Sequence, residues 1–378
     1  MNNQIIPFNR PYLTGNEQYY IEEAHSKGQL AGDGHFTKLC SNWLEDGTSS
    51  LKALLTHSCT AALEMAAILA GVQEGDEIIM PSYTFVSTAN AFVLRGGIPI
   101  FIDVRPDTLN IDETLIEAAI TDKTRAIVPV HYAGVACEMD VIMEIATRYN
   151  LWVIEDAAQG VLSTYKGKAL GSIGHMGCFS FHETKNIISG EGGALVINDP
   201  NLVQRAEVIR EKGTNRSAFF RGQVDKYTWV DLGSSYLPGE IISAFLWAQM
   251  EAAREITDMR LGIWNTYHSG FEGLENKGVA IRPTIPLACD HNAHMYYLIL
   301  PSLEHRNSFL SKMEMLGVKC VTHYVPLHSS PMGSKVARSS GEMVFTSDLA
   351  NRMVRLPLWL GIENSQEIII ENVVKSLS

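Results

Sequence analysis

Short apolar runs alternate with helical patterns through the first part of the chain, and this alternation constrains the fold more than any other feature. The apolar runs that predict buried strands are residues 51–55, 77–80, 98–102, 126–130 and 152–155. The helical patterns between them are residues 60–69, 87–94, 113–119 and 139–149. Strands that alternate with helices form a mostly parallel sheet covered by helices. The sequence therefore predicts an α/β fold whose ligands bind at the ends of the strands.

The rest of the chain predicts further elements and a second, smaller unit. Outside the sheet, helices are predicted at residues 16–27, 36–44, 201–212, 240–264, 303–316 and 366–376, and strands at residues 195–197, 295–300 and 318–322. A chain of 378 residues can bury two cores. We therefore predict a large domain over residues 1–250, which includes an irregular N-terminal arm, and a small α+β domain over residues 251–378.

Composition and charge exclude several kinds of protein. Hydrophobic residues make up 46% of the chain and charged residues 19%, as in ordinary globular proteins. The net charge of -12 argues against a nucleic-acid surface. The six cysteines are scattered without a Cys-x-x-Cys pair, which favours free thiols in a reducing compartment. Because we find neither a signal-peptide pattern nor an apolar run of roughly 18 residues, we expect a cytoplasmic protein that does not bind membranes.

The histidines do not predict a metal site. The run His182-Glu183-Thr184-Lys185-Asn186 departs from His-Glu-x-x-His, because Asn186 stands where the second histidine is required. His323 and His328 lie five residues apart, which is a poor spacing for ligands of one ion.

An acid at a strand end is followed, 29 residues later, by a lysine just past a short apolar run. These residues are Asp156 and Lys185. A lysine amine forms a Schiff base with the aldehyde of pyridoxal phosphate (PLP), and a carboxylate beside the pyridine nitrogen keeps that nitrogen protonated. The residues alone leave two alternatives open. Most lysines after a strand are solvated, and an aspartate in this place can cap a helix.

Two further segments lie at predicted strand ends. The turn at residues 56–62 opens a helix, so its free N–H groups can bind a phosphate, although Ser58 or Thr60 can equally be an ordinary N-cap. Phe85 follows the strand at residues 77–80 and can either join the core or stack on a flat ring.

The blocks Asp156-Ala157-Ala158-Gln159, Ser180-Phe181-His182 and Thr184-Lys185-Asn186 resemble those of the sugar aminotransferases of the DegT/DnrJ/EryC1 type. These enzymes belong to the aspartate-aminotransferase superfamily and aminate nucleotide-linked keto sugars. The resemblance implies a PLP-dependent transferase of fold type I. It also implies that Asp156 meets the pyridine nitrogen, Gln159 lies near the ring hydroxyl, Ser180 binds the phosphate, and Lys185 is the Schiff-base residue.

The same resemblance assigns further cofactor contacts and a homodimer with shared active sites. Cys59 and Thr60 occupy the turn that binds the PLP phosphate in the family, and Phe85 occupies the position of an aromatic ring that stacks on the pyridine. Ser235 stands where many members have an asparagine that reaches the cofactor phosphate of the neighbouring subunit. Leu237 replaces the arginine that follows in that motif, which departs from the family's usual pattern.

Substrate contacts follow from the resemblance less directly. His323 and Tyr324 belong to a His-Tyr-x-Pro-Leu-His run that lies near the active site in the family. Arg216 lies in a basic, aromatic segment over residues 213–236, which suits a nucleotide diphosphate, a subunit interface or a simply solvated loop.

Three segments are similar to members that transfer an amino group from glutamate to C4 of dTDP-4-oxo-6-deoxyglucose. They are residues 81–88, 130–135 and 210–216. Amination of another nucleotide-linked keto sugar, or formation of the gluco epimer, stays open as an alternative. A non-catalytic relative with this fold also stays open. Lys185 argues against the dehydrating relatives, which have a histidine in its place.

Overall fold

The computed structural model describes residues 5–377 as helices around one large sheet, with two small sheets beside it. The helices are α1 Glu17–Ser26, α2 His35–Thr48, α3 Cys59–Leu69, α4 Val86–Val93, α5 Ile116–Ala119, α6 Met139–Tyr149, α7 Val203–Arg210, α8 Arg216–Phe220, α9 Glu240–Glu251, α10 Ala253–Gly270, α11 Glu272–Asn276, α12 Leu303–Met315, α13 Gly333–Val336, α14 Val344–Arg352 and α15 Glu363–Leu377. The strands are β1 Lys52–Thr56, β2 Glu77–Pro81, β3 Ile98–Ile102, β4 Thr124–Ile127, β5 Trp152–Asp156, β6 Thr164–Tyr165, β7 Lys168–Ala169, β8 Met176–Ser180, β9 Gly193–Ile197, β10 Cys289–Asp290, β11 Tyr296–Ile299, β12 Arg338–Ser339 and β13 Met353–Leu356.

The large sheet has eight strands in the order β1-β9-β8-β5-β4-β2-β3-β12. The pairs from β8 to β12 are all parallel, and only β9 runs antiparallel to its two neighbours. The predicted α/β class with a mostly parallel central sheet is therefore confirmed. Since β9 is antiparallel to both β1 and β8, the carboxyl ends of β1, β8, β5 and β2 all lie at one edge of the sheet.

Separate cores cover the two faces of this sheet. Ile78 and Met80 of β2 pack in a core with α3, whereas Ile79 between them packs in a core with α6. Successive side chains of a strand point to opposite faces, so a strand buried on both faces has a continuous apolar run. This burial explains why the strand predictions from apolar runs succeed here. Another core, at residues 263–373, includes α10, α12 and α15. The predicted boundary between residues 250 and 251 stays a prediction.

The helix predicted at residues 240–264 is two helices in the structure. Helix α9 ends at Glu251 and α10 begins at Ala253, because Ala252 between them leaves helical geometry at φ -93° and ψ 4°. The local sequence favours a continuous helix, since glutamate and alanine are good helix formers. Packing provides the reason for the break: the buried residues of α9 face the sheet and the N-terminal helices, whereas those at the end of α10 join the core at residues 263–373.

One predicted strand is absent and another is wrong in extent. The segment at residues 318–322 is not a strand: Val318 and Val321 form isolated bridges, with Ile6 and Arg355 respectively. The strand predicted at residues 126–130 ends at Ile127, two residues before Pro129, which has no N–H to continue a hydrogen-bonded ladder. Loop 213–236, which lacked a predicted element, contains the short helix α8.

Candidate active site

A cavity of about 460 Å3 opens at the sheet edge where the carboxyl ends of the parallel strands meet. All but two of the residues that the sequence assigns to the site line this cavity. Those that line it are Cys59, Thr60, Phe85, Asp156, Gln159, Ser180, Lys185, His323 and Tyr324. Ligands of open α/β sheets bind at this place in the fold. The topology therefore brings together residues that are up to 265 positions apart in sequence, from Cys59 to Tyr324.

Asp156 is a buried carboxylate at the end of β5, and both of its oxygens accept hydrogen bonds. The Thr88 hydroxyl donates to Oδ2 at 2.7 Å, and the Ala158 N–H donates to Oδ1 at 3.1 Å. Thr84 lies 2.7 Å from the Thr88 hydroxyl and extends the network. These donors fix the orientation of the carboxylate. Turns rather than a helix follow Asp156, so the alternative that it is a helix cap is wrong.

Lys185 follows β8 in a turn that its own N–H closes by donating to the His182 carbonyl at 2.9 Å. The half-buried side chain lines the cavity instead of extending into solvent. Burial lowers the pKa of Lys185, and the nearby Arg355 guanidinium lowers it further, whereas Cys59 and Asp156 act in the opposite direction. A lowered pKa increases the share of the uncharged amine, which is the nucleophilic form.

The start of helix α3 lies against the cavity and presents backbone N–H groups that have no intrahelical acceptor. The Ser58 hydroxyl accepts from the Ala61 N–H at 3.1 Å, so the N-cap alternative is confirmed for Ser58. The Thr60 hydroxyl lies 2.8 Å from that of Ser87. Gly193 at the start of β9 permits this packing, since a Cβ there would lie 2.4 Å from the Cys59 nitrogen. The remaining N–H groups and the helix dipole favour an anion.

Gln159, Tyr324 and His323 form one side of the cavity. The Gln159 amide accepts from the Ala133 N–H at 2.7 Å and donates to the Tyr324 hydroxyl at 3.0 Å. The His323 ring stacks on Tyr324 with a centroid distance of 3.6 Å, and its Nδ1 lies 2.7 Å from the Tyr132 hydroxyl. Burial holds the pKa of His323 well below its usual value, so this imidazole is neutral near pH 7.

Phe85 lies at the mouth of the cavity and is 56% exposed, so the alternative that it belongs to the core is wrong. Its ring centroid lies 6.3 Å from that of Tyr324. An exposed aromatic ring at a cavity mouth is available for a flat ligand. The stacking role of Phe85 stays a prediction.

Ser235 and Arg216 are the two assigned residues that lie outside the cavity. Both line a separate surface cleft, and Arg216 Nη1 forms an ion pair with Glu211 Oε1 at 3.0 Å. Within one chain, therefore, neither residue reaches the proposed cofactor site. Their assigned roles depend on a neighbouring subunit and stay predictions.

Among the side chains that were not assigned from the sequence, Thr88, Tyr132 and Arg355 line the cavity or contact residues there. Thr88 and Tyr132 lie in segments that carried the substrate resemblance, but the sequence gives no sign that they contact Asp156 and His323. The signal for this contact was weak, since Thr84 lies just before α4 and Thr88 lies in its first turn. Arg355 lines the cavity from strand β13, and no sequence motif or spacing indicated that it would lie there.

The cavity contains a buried acid, a lysine of lowered pKa and the start of a helix, and this set suits PLP. The fold agrees: Spr1654 of Streptococcus pneumoniae, solved in its PMP form, has a TM-score of 0.88 and 25% identity, and the match covers 98% of this chain and 99% of that one. Fold and site together define a PLP-dependent aminotransferase.

The chain belongs to the DegT/DnrJ/EryC1/StrS aminotransferase family, whose model matches residues 11–378. A GDP-perosamine synthase of Caulobacter vibrioides is 32% identical over 323 residues, which cover 85% of each chain. A GDP-perosamine synthase of Escherichia coli O157:H7 is 30% identical over 376 residues, which cover 97% of each chain. The expected family and cofactor are confirmed. Among residues 5–377, no helix combines the length and the apolar character needed to cross a bilayer.

Proposed function

We propose that this chain transfers the amino group of glutamate to C4 of dTDP-4-oxo-6-deoxyglucose and gives dTDP-4-amino-4,6-dideoxygalactose. The observation that carries the transamination part is the cavity at the sheet edge, where Lys185 and the buried Asp156 both lie. The similarity of residues 81–88, 130–135 and 210–216 to members with this activity supports the choice of sugar. Such a product would serve the synthesis of a surface polysaccharide, such as enterobacterial common antigen or an O-antigen.

Lys185 is the group that moves protons in this proposal. When bound, PLP supplies an electrophilic carbon for the amine and a ring that accepts electrons from the donor's α-carbon. The Lys185 amine, whose pKa is lowered by burial, takes the α-proton of glutamate as a general base. In the second half of the reaction the same amine delivers a proton to C4 of the sugar. Delivery from one face fixes the configuration at C4.

The other residues of the cavity hold charge and orient the reactants. Asp156, which is fixed by Thr88 and the Ala158 N–H, provides a preorganised negative charge for a protonated ring nitrogen. The start of α3 and the Ser180 hydroxyl lie on the cavity wall and bind the phosphate in this proposal.

A GDP-linked 4-oxo sugar is the second candidate acceptor. Two relatives that match most of this chain carry the name GDP-perosamine synthase. The GDP in that name favours a guanosine nucleotide over a thymidine nucleotide on the acceptor sugar. The proposed chemistry at Lys185 is the same for both nucleotides. The two candidates therefore differ in the nucleotide and in the sugar, and not in the class of reaction.

The purified holoenzyme with glutamate distinguishes these possibilities. It is supplied with either dTDP-4-oxo-6-deoxyglucose or a GDP-linked 4-oxo-6-deoxy sugar, and the product is examined by proton NMR. We expect turnover with the dTDP sugar and a small coupling between H3 and H4, which identifies the axial amine. A large coupling would instead assign the gluco epimer, and turnover with the GDP sugar alone would overturn the choice of nucleotide.

Replacement of Lys185 tests the chemistry separately. Lys185→Ala should abolish turnover and the visible absorption band of the bound cofactor. Lys319→Ala is the matched control, because Lys319 is exposed and pairs with Glu314 on the surface. If Lys185→Ala retained both turnover and the band, the assignment of Lys185 would be wrong.

The proposal includes a homodimer that acts in the cytoplasm. The cleft that contains Ser235 and Arg216 supports the dimer, since these two residues can reach a cofactor only in another subunit. All six cysteines are free thiols, which supports a reducing compartment. Sedimentation of the holoenzyme tests the dimer.

A further inference from the structure

Tyr132 lies behind the cavity wall, and its hydroxyl approaches the side of His323 that faces the protein. Tyr132 is 1% exposed, and the hydroxyl lies 2.7 Å from His323 Nδ1. A buried hydroxyl needs a hydrogen-bond acceptor. The other neighbours of this hydroxyl, the Met353 sulfur at 3.1 Å and the Tyr83 hydroxyl, are weaker acceptors than an imidazole nitrogen. We therefore infer that the Tyr132 hydroxyl donates its proton to His323 Nδ1.

This bond determines which ring nitrogen of His323 carries the proton. The imidazole is neutral, because burial and the positive charges of Arg355 and Lys185 lower its pKa. A neutral imidazole has one donor and one acceptor nitrogen. If Nδ1 accepts from Tyr132, Nε2 must carry the proton. The partner of the second nitrogen commonly sets the tautomer in this way.

The stacked ring fixes the direction of that N–H. His323 packs face to face on Tyr324 at an interplanar angle of 25°, and Tyr324 is bound in turn by Gln159. His323 lines the cavity and is only partly buried, so its Nε2 is not a buried atom left without a partner. The open side of the ring is therefore the cavity, and the Nε2–H is available to a ligand there.

We propose that Tyr132 is a positioning residue that holds His323 in the Nε2–H tautomer, so that His323 donates a hydrogen bond to a neutral oxygen of the acceptor sugar. The inference rests on the proposed function. The ligand chemistry is a hydroxyl or oxo oxygen, since a neutral N–H donor recognises an acceptor atom without requiring a charge. The alternative tautomer would present a bare nitrogen and would disfavour an oxo group.

The first test measures the tautomer without any turnover. The nitrogen-15 chemical shifts of His323 are recorded in the holoenzyme and are assigned by their loss in His323→Gln. We expect an Nε2–H ring in the wild type and a mixture of tautomers in Tyr132→Phe. Tyr297→Phe is the matched control: Tyr297 is 3% exposed and its ring lies 6.1 Å from that of Tyr132, but among the described residues no hydrogen bond joins its hydroxyl to Tyr132 or His323. An Nδ1–H ring in the wild type would overturn the proposal.

The second test separates the two halves of the reaction. Tyr132→Phe should lower kcat/KM for the sugar acceptor about tenfold, as loss of one fixed hydrogen bond predicts. The conversion of the bound cofactor to its amine form by glutamate should change little. Equal losses in both half-reactions would refute a role specific to the sugar. If the wild type converts its cofactor with glutamate but accepts neither sugar, the proposed acceptor is wrong and the tautomer result still stands.

A double variant shows whether Tyr132 acts through His323. Glutamine keeps an N–H donor near the Nε2 position, so His323→Gln should retain more activity than His323→Asn. In the His323→Gln background, the further change Tyr132→Phe should cost less than about twofold, because the bond that it removes no longer exists. Additive losses would show that Tyr132 acts independently of His323, and the proposal would fail.

Discussion

The buried hydrogen bond from Thr88 to Asp156 holds the Asp156 carboxylate in its position. Thr88 is 1% exposed and Asp156 is 5% exposed, and their oxygens lie 2.7 Å apart. Thr88→Val preserves the shape of the side chain and removes the donor. Loss of a hydrogen bond to a charged group costs about 1.5–3 kcal/mol. The Thr84 hydroxyl also loses its partner, so we expect the free energy of unfolding to fall by about 2–3 kcal/mol.

Equilibrium denaturation of the apoprotein in urea measures this loss, and titration with PLP measures its effect on cofactor affinity. Affinity should fall, because Asp156, which we propose to meet the pyridine nitrogen, is no longer held in place. Thr114→Val is the matched control, since Thr114 donates to Asp112 at 2.6 Å in an exposed pair. Exposed hydrogen bonds compete with water, so this variant should change stability little. Equal losses in the two variants, with unchanged PLP affinity in Thr88→Val, would refute the argument.

Two other variants probe charges near the site. Glu155→Gln should lower the free energy of unfolding by about 3–5 kcal/mol in denaturation experiments. The reason is that the fully buried carboxylate accepts from His131 and from the N–H groups of residues 171, 173 and 174. A loss below about 1 kcal/mol would contradict this expectation. Arg355→Gln removes a positive charge that lowers the pKa of Lys185, so that pKa should rise. The rate at which the apoprotein captures PLP should then reach its half-maximum at a higher pH than in the wild type, and an unchanged or lower midpoint would contradict the electrostatic argument.

The sheet and the two principal site residues could be predicted because each depends on a local pattern. A strand buried on both faces is a continuous apolar run, so β2, β3 and β5 were predicted to within one residue at each end. Asp156 and Lys185 each follow such a run, and the ends of parallel strands meet at one edge. The break at Ala252 could not be predicted, because alanine favours the helix and only packing on separate cores interrupts it.

The sequence by itself determined that the chain is an α/β protein, that an acid and a lysine follow apolar runs, and that the turn at residues 56–62 opens a helix. These features depend on the periodicity of side chains and on backbone groups that have no local partner. Only the tertiary structure decided that Thr88 holds Asp156, that Tyr132 contacts His323, and that Ser235 and Arg216 lie outside the cavity. Contacts of this kind join residues that are tens to hundreds of positions apart, such as Tyr132 and His323, and no local pattern encodes them. These contacts form because the ends of the parallel strands and the C-terminal segment meet at the same edge of the large sheet.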